Sequence, residues 1–351
     1  MRIVGHAWRD LAHTNAGGSE QYVDILGRNL LRLGHNFTLV AGGPVGDRDY
    51  PVFNSGGTFT QYLRTPFVDH RAGKFDIRID IANGMAHCSP LWTRRPTILV
   101  WHHLHDEQWN MFFNRPIAAC GKYFERVLLP LIYRKSLIIV ESESSRTELH
   151  KLGVDPNKIF LLPISVDQIT VDVKRSPLPT YVVLGRLVPP KRVNLLLDIW
   201  DEIRTKIGGE LQIIGDGPLR DELERRNIPA VKFHGFVSAE EKRRLLAEAW
   251  LLLHPSEREG WGIAITEAGV QGTPCVAFNV AGVRDAVKHN ETGLLAHSKD
   301  EFARHWINLR FDSTLRTDLG ERARQYASTF SEQRSLDDLA KAVELALSLN
   351  Q

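Results

Sequence analysis

The stretch "RIVGHAWRDLAHTNAGGSEQYVDILGRNLLRLGHNFTLVA" (residues 2–41) predicts the fold of the first part of the chain. Its opening "RIVGHAW" has the pattern of a short strand, and the closing "FTLVA" has the pattern of a second one. Between them Val23, Leu26, Leu30 and Leu33 are spaced by three, four and three residues, which is typical of one face of a helix. A strand, a helix and a strand in this order form a β-α-β unit, which implies a parallel sheet covered by helices.

The same alternation continues along the chain and restarts in its second half. Strands are predicted at 97–101 and 137–140, and then at "YVVLG", "LQIIG", "VKFHG", "WLLLHPS" and "CVAFN". The proline-containing link "DVKRSPLPTY" (172–181) separates the two runs, and 351 residues exceed what one hydrophobic core usually supports. We therefore expect an α/β fold with two facing Rossmann-like, doubly wound domains and a cleft between them.

The predicted domains are residues 1–166, residues 167–330 and a C-terminal helix over 331–351, for which packing against the first domain is one option.

The composition, 43% hydrophobic and 25% charged, is globular. The net charge of +2 comes from dispersed basic residues, which argues against a nucleic-acid partner. No apolar run is long enough for a membrane span and the first ten residues lack a signal-peptide core, so we expect a cytoplasmic protein.

Two further features of the composition bear on partners. Cys88, Cys120 and Cys275 are far apart and have no metal or redox spacing, so we expect them to be small buried apolar side chains. The segment 115–135 is apolar and carries five basic residues and one acidic residue, which fits either a core helix with solvated basic side chains or peripheral contact with the inner face of a membrane.

Candidate binding residues follow the predicted strands, where ligands of open α/β sheets bind. Arg186 and Lys191, in "GRLVPPKR", would suit a diphosphate, because Gly185 permits a close approach and the prolines stiffen the loop. A solvated basic loop is the alternative. Gly17 and Gly18, in "NAGGSE", stand where backbone N–H groups can receive a phosphate, although a tight turn with Ser19 as helix cap explains them equally well.

The segment "VWHHLHDEQW" (100–109) places three histidines after a first-domain strand. A histidine that binds a polar ligand in the cleft and a hydrogen-bonded histidine at a domain interface both fit this position. A metal site is not predicted, because the helical His-Glu-x-x-His spacing is absent. The Asp-x-Asp at 47–49 is interpreted as a turn in a polar loop.

The stretch "EREGWGIAITEAGVQGTPCV" (257–276) contains Glu259 and Glu267 on either side of a glycine turn. That turn offers backbone N–H groups, and a helix predicted from about Ile263 offers its positive N-terminal end to a phosphate. Either carboxylate could accept hydrogen bonds from hydroxyl groups. Taken singly, Glu267 also suits the first turn of any helix, and Glu259 could pair with Arg258. Carboxylates for hydroxyls, cations for a diphosphate and a wide cleft together describe a nucleotide-sugar site.

The chain resembles the retaining GT-B glycosyltransferases of family four over nearly its whole length. The most specific part is "EGWGIAITEAGVQGTPCVAFNVAGVRDAVKHNETGLL" (259–295), which is similar to the Glu-x7-Glu block of that family and its continuation. The segments "GRLVPPKR", "IIGDGP", "FHGFVS", "ESESSRTEL" and "GGSEQYV" agree with the family in order and spacing. There are two departures, since Ile164 to Asp167 replaces "N-G-V-D" and Arg192 replaces the glycine after the lysine.

The resemblance implies a role for each candidate residue. Glu267 would hold the ribose and Glu259 the donor sugar, with Arg186 and Lys191 on the diphosphate. His102, with His103 as the alternative, would touch the sugar near the reacting carbon. The residues implied at the nucleotide are Gly17 and Gly18 over the phosphates, Gly235, Phe236 and Val237 at the base, and the turn and helix start at Gly260, Trp261, Gly262 and Ile263.

The implied activity is that of a retaining, metal-independent hexosyltransferase in polysaccharide, glycolipid or glycoconjugate biosynthesis. Its donor would be a UDP- or GDP-sugar bound as substrate, with no cofactor, and its acceptor a glycan, a lipid-linked sugar or a small molecule. Two alternatives keep the fold. One is a nucleotide-sugar epimerase or phosphorylase, and the other is a non-catalytic nucleotide-sugar-binding partner protein. The donor base, the acceptor and the linkage are not predicted.

Overall fold

The computed structural model describes residues 1–14 and 16–349, and the side chain of Glu107 is not described. Residues 350 and 351 of the predicted C-terminal helix lie outside the described residues. The chain divides into two compact units. Unit 1 comprises Met1–Ser165 and Glu332–Gln351, and unit 2 comprises Val166–Ser331. The first division falls one residue before the predicted domain boundary.

Thirteen strands and fourteen α-helices are described, numbered here in chain order. The strands are β1 Arg2–Ala7, β2 Asn36–Ala41, β3 Val52–Asn54, β4 Ile77–Ala82, β5 Thr97–Trp101, β6 Leu137–Val140, β7 Ile159–Leu161, β8 Thr180–Leu184, β9 Glu210–Ile214, β10 Val231–Gly235, β11 Leu251–His254, β12 Cys275–Phe278 and β13 Gly293–Ala296. The helices are α1 Gly18–Arg32, α2 Thr60–Ala72, α3 Asp106–Phe112, α4 Arg115–Tyr123, α5 Leu129–Ile132, α6 Glu143–Lys151, α7 Val193–Ile207, α8 Arg220–Arg225, α9 Ala239–Glu248, α10 Ile263–Val270, α11 Val283–Ala286, α12 Lys299–Phe311, α13 Ser313–Ser328 and α14 Glu332–Ser348.

Unit 1 is built on a seven-stranded parallel sheet in the order β3-β2-β1-β4-β5-β6-β7. The predicted β-α-β unit is β1-α1-β2, and Val23, Leu26 and Leu30 of α1 are buried as its spacing requires. Helix α14 also belongs to this unit, since the Asn29 side-chain amide donates to Ser335 Oγ over 3.1 Å.

Unit 2 is built on a six-stranded parallel sheet in the order β10-β9-β8-β11-β12-β13. Its core places Trp200 of α7 against Trp306 of α12, with stacked rings 5.6 Å apart. All strands of this sheet are parallel, so their carboxyl ends lie along one edge and the loops that follow them are neighbours. The two doubly wound, Rossmann-like α/β units are the predicted fold class.

The prediction that all three cysteines are buried is wrong for one of them. Cys275 is buried in β12 and Cys88 is half-buried, but Cys120 is exposed on α4. The reason is that α4 presents most of its surface to solvent, with only Ala118 and Gly121 buried. Among the described residues, no helix combines the length and the apolarity that crossing a membrane requires.

Candidate functional site

The loops after β8, β9 and β10 are joined by backbone hydrogen bonds. The amide of Gly185 donates to Ile214 over 3.0 Å, that of Leu187 to Asp216 over 2.9 Å, and that of Gly215 to Gly235 over 2.8 Å. The backbone on either side of Arg186 is thus bonded to residues 214 and 216, and Gly215 between them is bonded to Gly235, which precedes Phe236 and Val237. The side chain of Phe236 is 91% exposed, so an aromatic face stands free at this edge of the sheet.

A lysine, a glutamate and a histidine meet at the carboxyl ends of β8 and β11. The Lys191 ammonium is ion-paired with Oε1 of Glu259. His254 Nε2, at the end of β11, donates to the same oxygen over 3.1 Å. His254 had no predicted role, although its position as the last residue of a strand would have singled it out.

The Glu259 carboxylate is only 14% exposed. Burial opposes its ionisation, but the Lys191 charge and the His254 hydrogen bond hold the pKa of the Glu259 carboxyl well below its ordinary value. This carboxylate is therefore ionised at neutral pH and can only accept hydrogen bonds. It is equipped to hold a ligand that brings O–H or N–H groups.

The turn "EGWG" is held from both sides. Trp261 is buried, with its indole N–H donating to Thr266 Oγ1 over 2.8 Å and its ring edge-on to Phe330. On the other side lies Gly282, where an added Cβ would stand 2.2 Å from the carbonyl oxygen of Glu259. The backbone of Glu259 is thus packed directly against a glycine that nothing larger could replace.

Helix α10 begins at Ile263, as predicted, with Gly262 as its N-cap in the left-handed region at φ +99°. The first N–H groups of a helix have no partner within the helix and carry its positive end, which favours an anion there. Gly260, Trp261 and Gly262 are buried at this helix start. The predicted phosphate position therefore lies beside the Lys191 and Glu259 pair.

Glu267 is the fifth residue of α10 and lies beyond its first turn, so the first-turn alternative does not apply to it. It is ion-paired with Lys242 of α9 at 2.5 Å. Its side chain is 18% exposed. Sequence reasoning missed Lys242, because it lies on a different helix and nothing in its local sequence distinguishes it from a surface lysine.

Arg192, which occupies the position of a glycine in the resembling family, adopts the left-handed conformation that glycine prefers, at φ +51° and ψ +34°. Its guanidinium lies over the ring of Phe278, 4.9 Å from the centroid. The backbone of the loop is therefore that expected for glycine, and the arginine side chain is accommodated by a cation–π contact.

In unit 1, His102 follows β5 and is buried between two hydrogen-bond partners. Its Nδ1 donates to Oε1 of Glu141 over 2.5 Å, and its Nε2 lies 2.8 Å from Ser19 Oγ. Burial lowers the pKa of His102, but the charge of Glu141 and its hydrogen bond outweigh it, so the pKa of His102 is raised. His103, the alternative, stacks on His105 at 4.3 Å instead.

Gly17 and Gly18 lie at the start of α1, where Gly17 is the N-cap. The predicted alternative of a Ser19 cap is not what the structure shows, because the Ser19 hydroxyl is directed at His102. The Gly17 amide donates to the buried Glu20 carboxylate over 2.7 Å. The helix start and His102 are thus brought together through Ser19.

The Asp-x-Asp at 47–49 lies in the loop between β2 and β3, where Arg48 Nη2 pairs with Asp10 at 3.2 Å. In the part of the chain that the structure describes, no group of three or more His, Cys, Asp or Glu side chains is placed to hold a metal ion.

Comparisons with known proteins agree on the class of both units. Residues 16–168 match the family described as Glycosyltransferase Family 4, and residues 167–326 match the family described as Glycosyl transferases group 1. The chain is 32% identical over 142 residues to N-acetyl-alpha-D-glucosaminyl L-malate synthase of Bacillus anthracis, covering 38% of this chain and 37% of that protein. It is 29% identical over 252 residues to the GDP-mannose-dependent alpha-(1-6)-phosphatidylinositol monomannoside mannosyltransferase of Mycobacterium tuberculosis, covering 66% and 65%. The chain thus spans less than two thirds of the length of these curated relatives.

Solved structures share the architecture over the whole chain. Sucrose-phosphate synthase of Thermosynechococcus elongatus matches with a TM-score of 0.83 at 17% identity, covering 99% of this chain and 100% of that one. The Anabaena HepE protein in complex with UDP and glucose matches with a TM-score of 0.77 at 17% identity, covering 98% and 99%. At 17% sequence identity, these two structural matches are evidence for a shared fold only.

Proposed function

We propose that this chain, a glycosyltransferase of GT-B fold with a family 4 domain followed by a group 1 domain, transfers a sugar from a nucleoside-diphosphate sugar to an acceptor hydroxyl. The transfer retains the configuration of the sugar. The observation that carries the proposal is the cluster of Lys191, His254 and Glu259 beside the N-terminus of α10. It combines a cation and a helix N-terminus for phosphate with an ionised carboxylate for hydroxyl groups.

In this proposal the donor binds along the carboxyl edge of the unit 2 sheet. Arg186 and Lys191 bind the diphosphate, Glu267 accepts hydrogen bonds from the ribose, and Glu259 accepts them from the sugar. The loop 235–237 meets the base. These roles fit the charges present, because an ionised carboxylate and a sugar hydroxyl form a charge-assisted hydrogen bond.

The reaction breaks the bond between the anomeric carbon and the phosphate oxygen, and the electron pair leaves with the diphosphate. The acceptor oxygen forms its bond on the same face of the sugar, and its proton passes to the departing phosphate. Arg186 and Lys191 stabilise the charge that develops on that phosphate, which is the electrostatic task that usually dominates such catalysis. We propose that these two cations make the transfer metal-independent.

The donor is proposed to be a uridine or guanosine diphosphate sugar. The name of the mycobacterial relative specifies GDP-mannose, and the Anabaena structure holds UDP and glucose, so both bases occur among similar proteins. The acceptor is proposed to be a hydroxyl of a glycan, a lipid-linked sugar or a small molecule. The part of His102 in donor binding and the cytoplasmic location stay predictions.

The first test is a thermal-shift panel of UDP, GDP, ADP and their sugar conjugates. Ligand that binds the native state raises its stability by an amount set by concentration over affinity. We expect one base to stabilise the wild type and to lose its effect in Lys191→Ala and Glu267→Ala. Lys206→Ala, an exposed lysine on α7, is the matched control and should respond like the wild type.

The second test is product analysis with the selected donor, with and without an acceptor. Transfer that needs the acceptor and falls about 10- to 100-fold in Glu259→Gln, but not in Glu257→Gln, supports the proposal. Conversion of the donor without an acceptor would instead indicate an epimerase. Release of the sugar as its phosphate would indicate a phosphorylase. Nucleotide binding with no conversion in any arm would leave the non-catalytic binding protein.

A further inference from the structure

Helix α2 of unit 1 and its N-cap, Phe59, carry a row of large exposed apolar side chains. Phe59, Leu63 and Phe67 follow each other at intervals of four residues, which places them in one row along the helix. They are 65%, 78% and 72% exposed. Three large apolar side chains in one exposed row are unusual for a surface that meets only water.

Two further segments lie on the same face of the sheet as α2. Side chains two residues apart on a strand point to the same face, and Arg78 and Asp80 of β4 are such a pair. Arg78 Nη2 donates to Oδ1 of Asp69 of α2 over 2.6 Å. Asp80 accepts a hydrogen bond from the hydroxyl of Ser89, the first residue of a 3₁₀ turn, over 2.7 Å. It accepts another from the hydroxyl of Tyr133, the residue that follows α5. The three segments 59–74, 89–95 and 112–135, here called the docking face, are therefore each anchored to this side of the sheet, through Asp69, Ser89 and Tyr133 respectively.

The other two segments also expose large apolar side chains. Leu91 in the 3₁₀ turn is 70% exposed. In the third segment Phe112 is 57%, Ile117 51% and Leu131 58% exposed. Apolar exposure thus recurs in every segment of the docking face.

The charge of the docking face is of one sign. The three segments hold three, two and five Lys or Arg residues, and their only two acidic residues are Asp69 and Glu125. Asp69 is buried and pairs with Arg78, and Glu125 is buried and bonds to His105 and Trp109. One of the cations, Arg126, pairs with Asp106 outside these segments. The exposed part of the docking face therefore presents cations and apolar side chains without acidic ones.

We propose that the docking face binds the surface of an anionic lipid bilayer. Basic residues are attracted by the negative surface potential, and exposed Phe, Leu and Ile side chains enter the boundary between headgroups and acyl chains. The sequence pointed to 115–135 alone, and the structure adds α2 and the 89–95 turn on the same side. This inference is independent of the donor site and of the reaction proposed above.

The test is flotation of the full chain with vesicles of phosphatidylcholine, alone or with about one third phosphatidylglycerol. We expect binding to the anionic vesicles only. Leu63→Ser and Phe67→Ser should each weaken it several-fold, and Arg64→Gln and Arg71→Gln by about fivefold each. The matched controls are Leu178→Ser, at a leucine 67% exposed in unit 2, and Arg225→Gln, at an exposed arginine of α8, which should bind as the wild type does.

Three results would overturn the proposal. One is no binding to anionic vesicles, and another is equal loss of binding in Leu178→Ser and Leu63→Ser. The third is a dimer in sedimentation experiments that Leu63→Ser dissociates, because a second copy of the chain would then be what covers this face. Circular dichroism of each variant checks that lost binding does not come from lost folding.

Discussion

At the residue scale, Glu141 controls the protonation state of His102. The carboxylate bonds to Nδ1 and raises the pKa of His102 against the effect of burial. Removing its charge in Glu141→Gln leaves burial dominant, so the pKa of His102 should fall. Titration of the His102 ring signals by NMR measures this directly. If His102 takes part in the transfer, kcat should fall as well.

The control for this variant is Glu143→Gln, two residues further along on the surface of α6. It should leave both the His102 titration and kcat unchanged. An unchanged His102 pKa in Glu141→Gln would mean that another charge, such as that of the nearby Glu20, sets its protonation state.

The buried side chain of His87 should make the free energy of unfolding of unit 1 depend on pH. Burial, together with the charge of His6, lowers the pKa of His87 from 6.5 to about 3, while Asp80 partly opposes this. In the unfolded chain His87 protonates near its ordinary pKa, so the unfolded state binds more protons between those two values. The free energy of unfolding should therefore decrease as pH falls through this window, by about 3 kcal/mol at pH 4.

Urea unfolding of the wild type and His87→Phe at neutral pH and at about pH 4 tests this. Phenylalanine keeps a ring against Tyr62, whose centroid is 4.8 Å from that of His87, and does not titrate. The variant should lose less stability in acid than the wild type does. His70→Gln, on the exposed face of α2, should show the wild-type dependence. If His87→Phe loses as much stability in acid as the wild type does, other titratable groups cause the acid sensitivity.

At the scale of elements, the position of the Glu259 turn depends on the start of α11. Gly282, the N-cap of that helix, has φ +79°, and an added Cβ would stand 2.2 Å from the Glu259 carbonyl oxygen. Gly282→Ala should therefore displace the turn that carries Glu259. We expect weaker nucleotide-sugar stabilisation in thermal shift, with kcat/KM reduced about tenfold or more.

Gly208→Ala is the control that distinguishes the strain of a positive φ from displacement of the Glu259 turn. Gly208 also has a positive φ, of +62°, but an added Cβ there meets nothing within 4 Å. Its substitution should lower the free energy of unfolding by about 1 kcal/mol and leave kcat/KM intact. If the two variants lose activity equally, the strain of a positive φ is the cause and the contact with Glu259 is not.

The long elements could be predicted from the sequence, whereas four strands could not. Apolar periodicity gave α1, α7 and the central strands, because burial of one face forces that pattern. Strand β4, "IRIDIA", was missed since Arg78 and Asp80 look like exposed positions, yet both are buried. Arg78 bonds to Asp69 there, and Asp80 bonds to His6 and Ser89. Strands β3 and β7 are only three residues long, too short to show a period, and β13 begins at a glycine directly after the turn 290–292.

The same limit applies to the candidate site. Glu259, Lys191 and the start of α10 could be predicted, because strand ends and a glycine turn mark such a position in the sequence. Lys242, which pairs with Glu267, could not, and the position of His254 at a strand end marked the histidine but not its pairing with Glu259. A pairing across elements depends on side-chain direction and packing, which no local pattern encodes. The orientation of Ser19 towards His102 was missed for that reason too.

At the scale of the whole molecule, the chain returns to its first unit at its end. Helix α14 follows all of unit 2 in the sequence but belongs to unit 1, where Leu339, Ala342, Val343 and Ala346 are buried. Two bonds to α1 fix it there, one from Asn29 to Ser335 and one between Arg32 and Glu332. Unit 1 is therefore built from two stretches of the chain that unit 2 separates in the sequence.

Leu339→Ala tests this arrangement. Loss of a fully buried leucine should cost about 2–5 kcal/mol of unfolding free energy, and that cost should fall on unit 1. Hydrogen exchange followed by mass spectrometry should show faster exchange in residues 1–165 and unchanged exchange in residues 166–331, although the substitution lies after both. Lys341→Ala, at an exposed position of the same helix, should alter neither. If protection were lost in residues 166–331 instead, or in α14 alone, the last helix would not be part of the cooperative unit that the first 165 residues form.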